Sequence, residues 1–237
     1  MSTAAASPEA PWRAGFRSAR ANVVPGLVLQ LVALSLVLAY YQHEPTRVAL
    51  DRLAAWREQV GVTFSIVSTA TFGGVLPALY LWASHETRAR FNFAQAAAIT
   101  AFWAYKGLEV DVLYRTLAHF VGTAHDVRTI AIKTSFDQFI YCPLLAVPLT
   151  VVVYEWVEAN FDTAALINDV KAGGWFYRKV LPLLISNLWV WLPTACIIYS
   201  LPTPLQLPLQ NLVLLFFTLL LAHLSRRTGH ARSDSLT

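Results

Sequence analysis

The sequence has few charged side chains. Asp, Glu, Lys and Arg make up 14% of its 237 residues, against about a quarter in a typical soluble domain. Apolar residues make up 56%, and the mean hydropathy is +0.49. This composition is typical of a membrane protein and argues against a soluble one. The excess of basic residues lies before, between and after the apolar runs, where membrane topology accounts for it, so we expect no nucleic-acid partner.

Cysteine is also scarce, since the chain has only Cys142 and Cys196. Both lie inside apolar runs, without paired spacing and without a histidine nearby, so we predict two buried free thiols rather than a zinc site or a disulfide framework.

The chain lacks His-Glu-x-x-His, Gly-x-Ser-x-Gly and a glycine-rich phosphate loop. We therefore predict no catalytic, cofactor-binding or metal-binding residue and no cofactor. An intramembrane enzyme stays a third hypothesis, based on His119 and His125 beside Asp126.

Long apolar runs dominate the sequence. They predict an all-α fold, a polytopic membrane helix bundle with about six spans. A charged, periodic stretch from Glu44 to Gln59 predicts a short interfacial helix. The domain division is a polar N-terminal tail over residues 1–21, a transmembrane domain over 22–225 and a basic C-terminal tail over 226–237. The six predicted spans are Val23–Tyr41, Val60–Trp82, Phe93–Phe120, a fourth that ends near Glu158, Val180–Ser200 and a sixth from the Pro204 turn to about Ser225.

Lys and Arg are more frequent in the N-terminal tail, the Arg88–Arg90 loop, the Lys171–Lys179 loop and the C-terminal tail than in the loops between them. By the positive-inside rule we expect both termini to be cytoplasmic. The strength of this pattern, with no Ser-Lys-Leu at the C-terminus, favours a bacterial inner membrane. The arginine-rich start also fits a mitochondrial presequence, so an organelle membrane stays open.

The stretch Lys133–Pro148 carries ionisable and amide side chains into an apolar run. At helical spacing Lys133, Asp137, Tyr141, Leu144 and Pro148 share one face. An ionised carboxylate is costly against lipid, so we expect this face to meet protein or water.

Two prolines in the same stretch remove helical hydrogen bonds. Pro143 frees the carbonyl of Phe139, and Pro148 frees that of Leu144. Structural kinks explain both prolines, but kinks beside a carboxylate are also typical of ion and solute paths.

Other polar side chains in the spans have two interpretations. Lys106 with Glu109, and Asp111 with Arg115, stand three and four residues apart, so each pair can form an ion pair within one helix. These pairs either neutralise each other inside the bundle or form a polar path. The same choice between interhelical hydrogen bonds and ligand contacts applies to Asn187 and Asn211. Small residues recurring every fourth position predict a helix-packing face, and they are Ser65, Thr69, Gly73 and Pro77.

Several of these residues occur in an order that resembles the Mpv/PMP family of mitochondrial, peroxisomal and bacterial membrane proteins. The resemblance spans about residues 104–225. Its most specific part is Lys133-x-x-x-Asp137-Gln138 with Pro143 five residues later. The remaining parts are Tyr114-Arg-Thr-Leu117, Asn187 before Trp191-x-Pro193, Gln210-Asn211 and Leu224-Ser225. The resemblance implies a compact all-helical membrane protein that forms a small channel, and it marks Lys133, Asp137 and Gln138 as polar-core residues.

We therefore expect a lipid-embedded pore for a small solute or ion, with oligomerisation open. Its expected lining is Asp137 and Gln138, with Asn187, Asn211, Asp111 and Arg115. The alternative is a membrane scaffold that does not transport, in which the same residues only hold the helices together.

Overall fold

The computed structural model describes residues 10–83 and 92–233, with the side chains of the last helix described as far as Leu219. The predicted Arg88–Arg90 loop, the first nine residues and the last four lie outside these ranges. The described part consists of nine helices without a strand, which confirms the all-α class. The helices are α1 Pro11–Ala21, α2 Val23–Gln42, α3 Glu44–Val60, α4 Val62–Trp82, α5 Phe93–Val121, α6 Val127–Glu158, α7 Thr163–Lys171, α8 Phe176–Tyr199 and α9 Thr203–Ser233.

Four of the described helices are long and apolar enough to cross a membrane, namely α2, α4, α6 and α8. The apolar part of α9, Thr203–Leu219, is shorter. Helix α5 has 29 residues, but Lys106, Glu109 and Asp111 lie within it. These helices are compatible with a membrane protein, whereas the predicted count of six spans is not confirmed.

Helix α1 lies within the segment predicted as a polar tail. Pro11 stands in its first turn, and Gly15 and Ala19, four residues apart, are buried, while Arg13, Arg17 and Arg20 are exposed. A Cβ added at Gly15 would lie 2.9 Å from Ile185 Cβ, so α1 packs closely on α8. The alanine-rich composition concealed this short amphipathic helix.

The main core lies where α2, α5, α8 and the start of α9 meet. Its centre includes Val37, Tyr114, Tyr199 and Leu205, all at most 5% exposed. The stretch predicted as an interfacial helix forms helix α3, which is exposed along most of its length, although its Arg57 is buried. Cys142 is buried as predicted, but Cys196 is exposed on α8, so the prediction of a second buried thiol was wrong.

Helix α6 widens into π-helical turns over Asp137–Ala146, and it continues through Pro143. A missing proline N–H favours such local widening, since the normal bond four residues back is absent. The extra residue per turn shifts the helix face. Asp137 and Tyr141 stay on the inner face, but Leu144 is 75% exposed, so the predicted continuation of this face through Leu144 was wrong.

Candidate functional site

Asp137 lies at the start of the wide turns of α6 and is 7% exposed. Tyr199 of α8 donates its hydroxyl hydrogen to Oδ2 over 2.9 Å. The Cys142 thiol lies 3.7 Å from Oδ1 as a weak donor. The carboxylate therefore has two neutral donors.

Lys133 is 2% exposed, and its spacing from Asp137 is that of a helical ion pair. However, no ion pair joins them, and in the part of the chain that the structure describes no carboxylate lies within 4.0 Å of the Lys133 ammonium. Its Nζ instead lies 6.0 Å from the centre of the Tyr199 ring. Tyr199 thus contacts both groups, since its ring faces Lys133 while its hydroxyl binds Asp137.

A cavity of about 750 Å³ lies against Asp137. It runs along α6 as far as the exposed Glu158, about 30 Å farther along the helix at about 1.5 Å per residue. Gln138 and Asn187 also line it, as the sequence predicted for a polar path. Most of its other walls are apolar and aromatic, and they include Trp103, Tyr114, Tyr141, Tyr154, Trp191 and Phe217.

Gln138 is 3% exposed, and its Oε1 has no hydrogen-bond partner among the described residues. Buried amides without partners are uncommon in folded proteins. A buried amide that lines a cavity is therefore a candidate contact for a molecule inside it.

The predicted Lys106–Glu109 ion pair is present. Lys106 Nζ lies 2.5 Å from Glu109 Oε1 and 2.9 Å from the Tyr141 hydroxyl. The same hydroxyl donates to Glu109 in a short hydrogen bond. Lys106 lines the cavity, so its charge is compensated where it borders the open space. The three-residue spacing predicted the ion pair, but Tyr141 joins it from another helix.

The predicted Asp111–Arg115 ion pair is also present, with Arg115 Nε 2.6 Å from Asp111 Oδ2. Asp111 Oδ1 also accepts hydrogen bonds from the guanidinium of Arg57 of α3 over 2.5 Å and from the Ser65 hydroxyl over 2.9 Å. A second Arg57 nitrogen donates to the carbonyl of Thr203 over 2.8 Å. Asp111 and Arg115 do not line the large cavity, which disagrees with the expected pore lining.

Asn211 likewise does not line the large cavity. It is 2% exposed, accepts a hydrogen bond from Thr69 over 3.0 Å and donates one to Ser68 over 3.0 Å. It therefore joins α9 to α4, and the interpretation as an interhelical hydrogen bond applies.

A second pocket, of about 390 Å³, is formed near the end of α3, the end of α5 and the start of α9. Arg57 and Arg115 line it. Along α5, Lys106, Val110, Leu113 and Tyr114 border the large cavity, and Arg115, the residue after Tyr114, borders the second pocket. The buried Asp111 cluster, defined as Arg57, Ser65, Asp111 and Arg115, borders the second pocket through its two arginines. A short hydrogen bond joins Tyr114 to Gln210, and both of these residues line the large cavity.

Fold and site together define an all-helical protein compatible with a membrane, with a large internal cavity beside a buried carboxylate. No protein-family model, curated protein or solved structure matches this chain. The resemblance to the Mpv/PMP family therefore stays a prediction.

Proposed function

We propose that this chain is a six-span integral membrane protein that forms a small-solute conduit of the Mpv/PMP type, closed in this conformation. One observation carries the proposal. A cavity of about 750 Å³ and a pocket of about 390 Å³ border adjacent residues of α5, Tyr114 and Arg115, and the buried Asp111 cluster borders the pocket through Arg57 and Arg115. Charged side chains and apolar constrictions are known to set selectivity and gating in membrane channels.

Helices α5 and α9 are the fifth and sixth proposed spans. With 29 residues, α5 is about 43 Å long, which exceeds the hydrocarbon thickness of about 30 Å. Its charges do not exclude this placement, because Lys106 and Asp111 are buried and paired inside the bundle. Cysteine labelling of single-cysteine variants tests the placement of α5, since residue 61 before α4 and residues 122–126 after α5 should be accessible from the same side if both helices cross the membrane.

Basic residues support the proposed orientation. Arg13, Arg17 and Arg20 precede α2, and Arg178 and Lys179 stand at the start of α8. Helices α2 and α8 are parallel, since Asn22 contacts Ser186 near their starts and Tyr41 contacts Ser200 near their ends, so these basic residues lie at the same end of the bundle. By the positive-inside rule this side is cytoplasmic in a bacterial inner membrane, with an organelle membrane as the alternative. The same labelling, performed on intact cells, distinguishes the two orientations.

Reconstituted protein tests the conduit directly. We expect liposomes that contain the wild type to release small solutes faster than empty liposomes, and Asp137→Asn to alter the preference between cationic and anionic solutes. Asp169→Asn, which removes a carboxylate from the surface of α7, is the matched control. Identical fluxes for the wild type and Asp137→Asn would remove Asp137 from the pathway.

A scaffold without transport is the second proposal, and the bonds of Asn211 to Thr69 and Ser68 favour it because they only join helices. Under this proposal, liposomes with correctly folded protein stay as tight as empty ones. Loosening the Asp111 cluster would then lower stability without raising flux.

A further inference from the structure

We propose that the large cavity binds a solute that carries a protonated amine on an apolar or aromatic body, with Asp137 as its counter-ion. This inference rests on the proposed conduit, since it names the class of solute that would occupy it.

The charge around Asp137 is the first argument. Among the described residues no Lys, Arg or His nitrogen lies within 4.0 Å of its carboxylate, and its two bonded partners are a hydroxyl and a thiol. A buried carboxylate with neutral partners alone is unfavourable compared with one that has a cation beside it. A ligand ammonium would supply the cation that the protein does not place there.

The two nearby lysines do not fill this role. Lys106 is committed to Glu109 at 2.5 Å and to the Tyr141 hydroxyl at 2.9 Å. Lys133 lies against the Tyr199 ring and does not line the cavity. Among the described residues, neither lysine forms an ion pair with the Asp137 carboxylate.

The walls of the cavity are the second argument. Trp103 of α5 and Trp191 of α8 line the same space, and aromatic ring faces attract cations electrostatically. The ring of Tyr141 already has the Lys106 ammonium 5.1 Å from its centre. The volume of about 750 Å³ falls within the range of about 300–1,000 Å³ that is usual for small-molecule sites. An apolar body thus fits the walls while its charged end reaches the carboxylate.

Gln138 supplies an independent third observation. It is more than nine-tenths buried, lines this cavity and has an amide oxygen without a partner among the described residues. It is the residue after Asp137, so a polar group next to the ammonium of a bound solute would have an amide within reach.

Binding to purified full-length protein in detergent tests the inference. The probes are phenethylamine, the neutral phenethyl alcohol and the anionic phenylpropionate, which share an aromatic body, and the dissociation constants are measured by titration calorimetry. We expect the amine to bind at least about tenfold more tightly than the alcohol, since one charge-assisted contact is worth about that factor, and the anion to bind most weakly. Equal affinity for amine and alcohol in the wild type would overturn the inference without any variant.

Asp137→Asn should reduce the affinity for the amine to that for the alcohol, because the amide keeps an acceptor for Tyr199 but lacks the charge. Asp169→Asn should keep the wild-type preference. If Asp137→Asn does not fold, Trp191→Leu takes its place, and it should weaken the amine more than the alcohol. A preference for the amine that survives these changes would contradict the assigned site.

The ammonium could belong to a free amine or to a lipid headgroup. Titration in phosphatidylglycerol nanodiscs, with and without phosphatidylethanolamine, separates these sources. If the site binds the lipid headgroup, phosphatidylethanolamine competes and weakens phenethylamine binding. If the site binds only free amines, phenethylamine binding is the same in both kinds of nanodisc. Either result supports ammonium recognition. Amine binding without flux would retain this site and remove the conduit, whereas flux without amine preference would do the opposite.

Discussion

Two buried aspartates, Asp111 and Asp137, have opposite surroundings in the same bundle. Asp111 is 2% exposed and binds two arginines and a serine from three helices. Asp137 is 7% exposed, has only a tyrosine and a cysteine as donors, and lines a large cavity. A buried carboxylate whose charge is balanced by arginines has a structural role, whereas a buried carboxylate without a cation beside a cavity is typical of a ligand or ion site.

Asp111→Asn should produce the largest effect on stability. Arg57 is 2% exposed and would lose its counter-ion, and breaking a buried ion pair by removing one partner costs about 3–5 kcal/mol. We expect this loss in the free energy of unfolding, measured by denaturant titration in detergent. Arg115→Ala is the control, because that side chain is 56% exposed and an exposed pair contributes about 1 kcal/mol or less. Equal losses for both variants would mean that the Asp111 cluster is not a buried structural unit.

The sequence predicted one half of each ionic cluster and missed the other half. Spacings of three and four residues indicated Lys106–Glu109 and Asp111–Arg115, because neighbours on one helix turn are fixed by helix geometry. Arg57 binds Asp111 from a position 54 residues away in the sequence, and Tyr199 binds Asp137 from 62 residues away, each from another helix. Such contacts depend on how the helices pack, which local periodicity does not encode.

The apolar runs predicted the long helices, because hydropathy and length are local properties of the chain. The face of α6 was predicted only as far as Tyr141. Beyond it the π-helical turns rotate the helix, and regular helical spacing no longer applies.

Gly107→Ala should have the next largest effect, since Gly107 allows the Ser65 segment of α4 to approach Asp111. A Cβ at this position would lie 2.2 Å from the Ser65 carbonyl oxygen, which is backbone and moves only with its helix. Overpacking of this kind costs about 1–3 kcal/mol, and we expect a matching drop in the free energy of unfolding. In Gly26→Ala, the control, the new Cβ would meet the end of the Val190 side chain at 3.2 Å, so a loss as large as that of Gly107→Ala would contradict the argument.

Asp137→Asn should change the free energy of unfolding by no more than about 1 kcal/mol, because the amide oxygen still accepts from Tyr199 and no buried cation loses a partner. The same denaturant titration measures it beside Asp111→Asn. The two variants together separate the roles of the two aspartates, since Asp111→Asn should lower stability and Asp137→Asn should remove the solute preference. A loss for Asp137→Asn as large as that for Asp111→Asn would make Asp137 a structural residue and favour the scaffold.

Asp126 provides an exposed reference for both buried aspartates and should give the smallest effect. It caps the start of α6, and the hydrogen bond from the Thr129 hydroxyl at 2.7 Å, with those from the backbone N–H groups of Thr129 and Arg128, lowers the pKa of Asp126 below its usual 3.8. A lowered folded-state pKa stabilises the protein above the unfolded pKa, and this stabilisation is lost as the pH falls through the folded value. Asp126→Ala should therefore lower the melting temperature slightly at neutral pH, and the difference from the wild type should shrink as the pH falls below the usual 3.8. Thr129→Val removes the strongest of these bonds, so it should give part of the same difference; a difference that persists unchanged in acid would mean that the charge of Asp126 does not contribute.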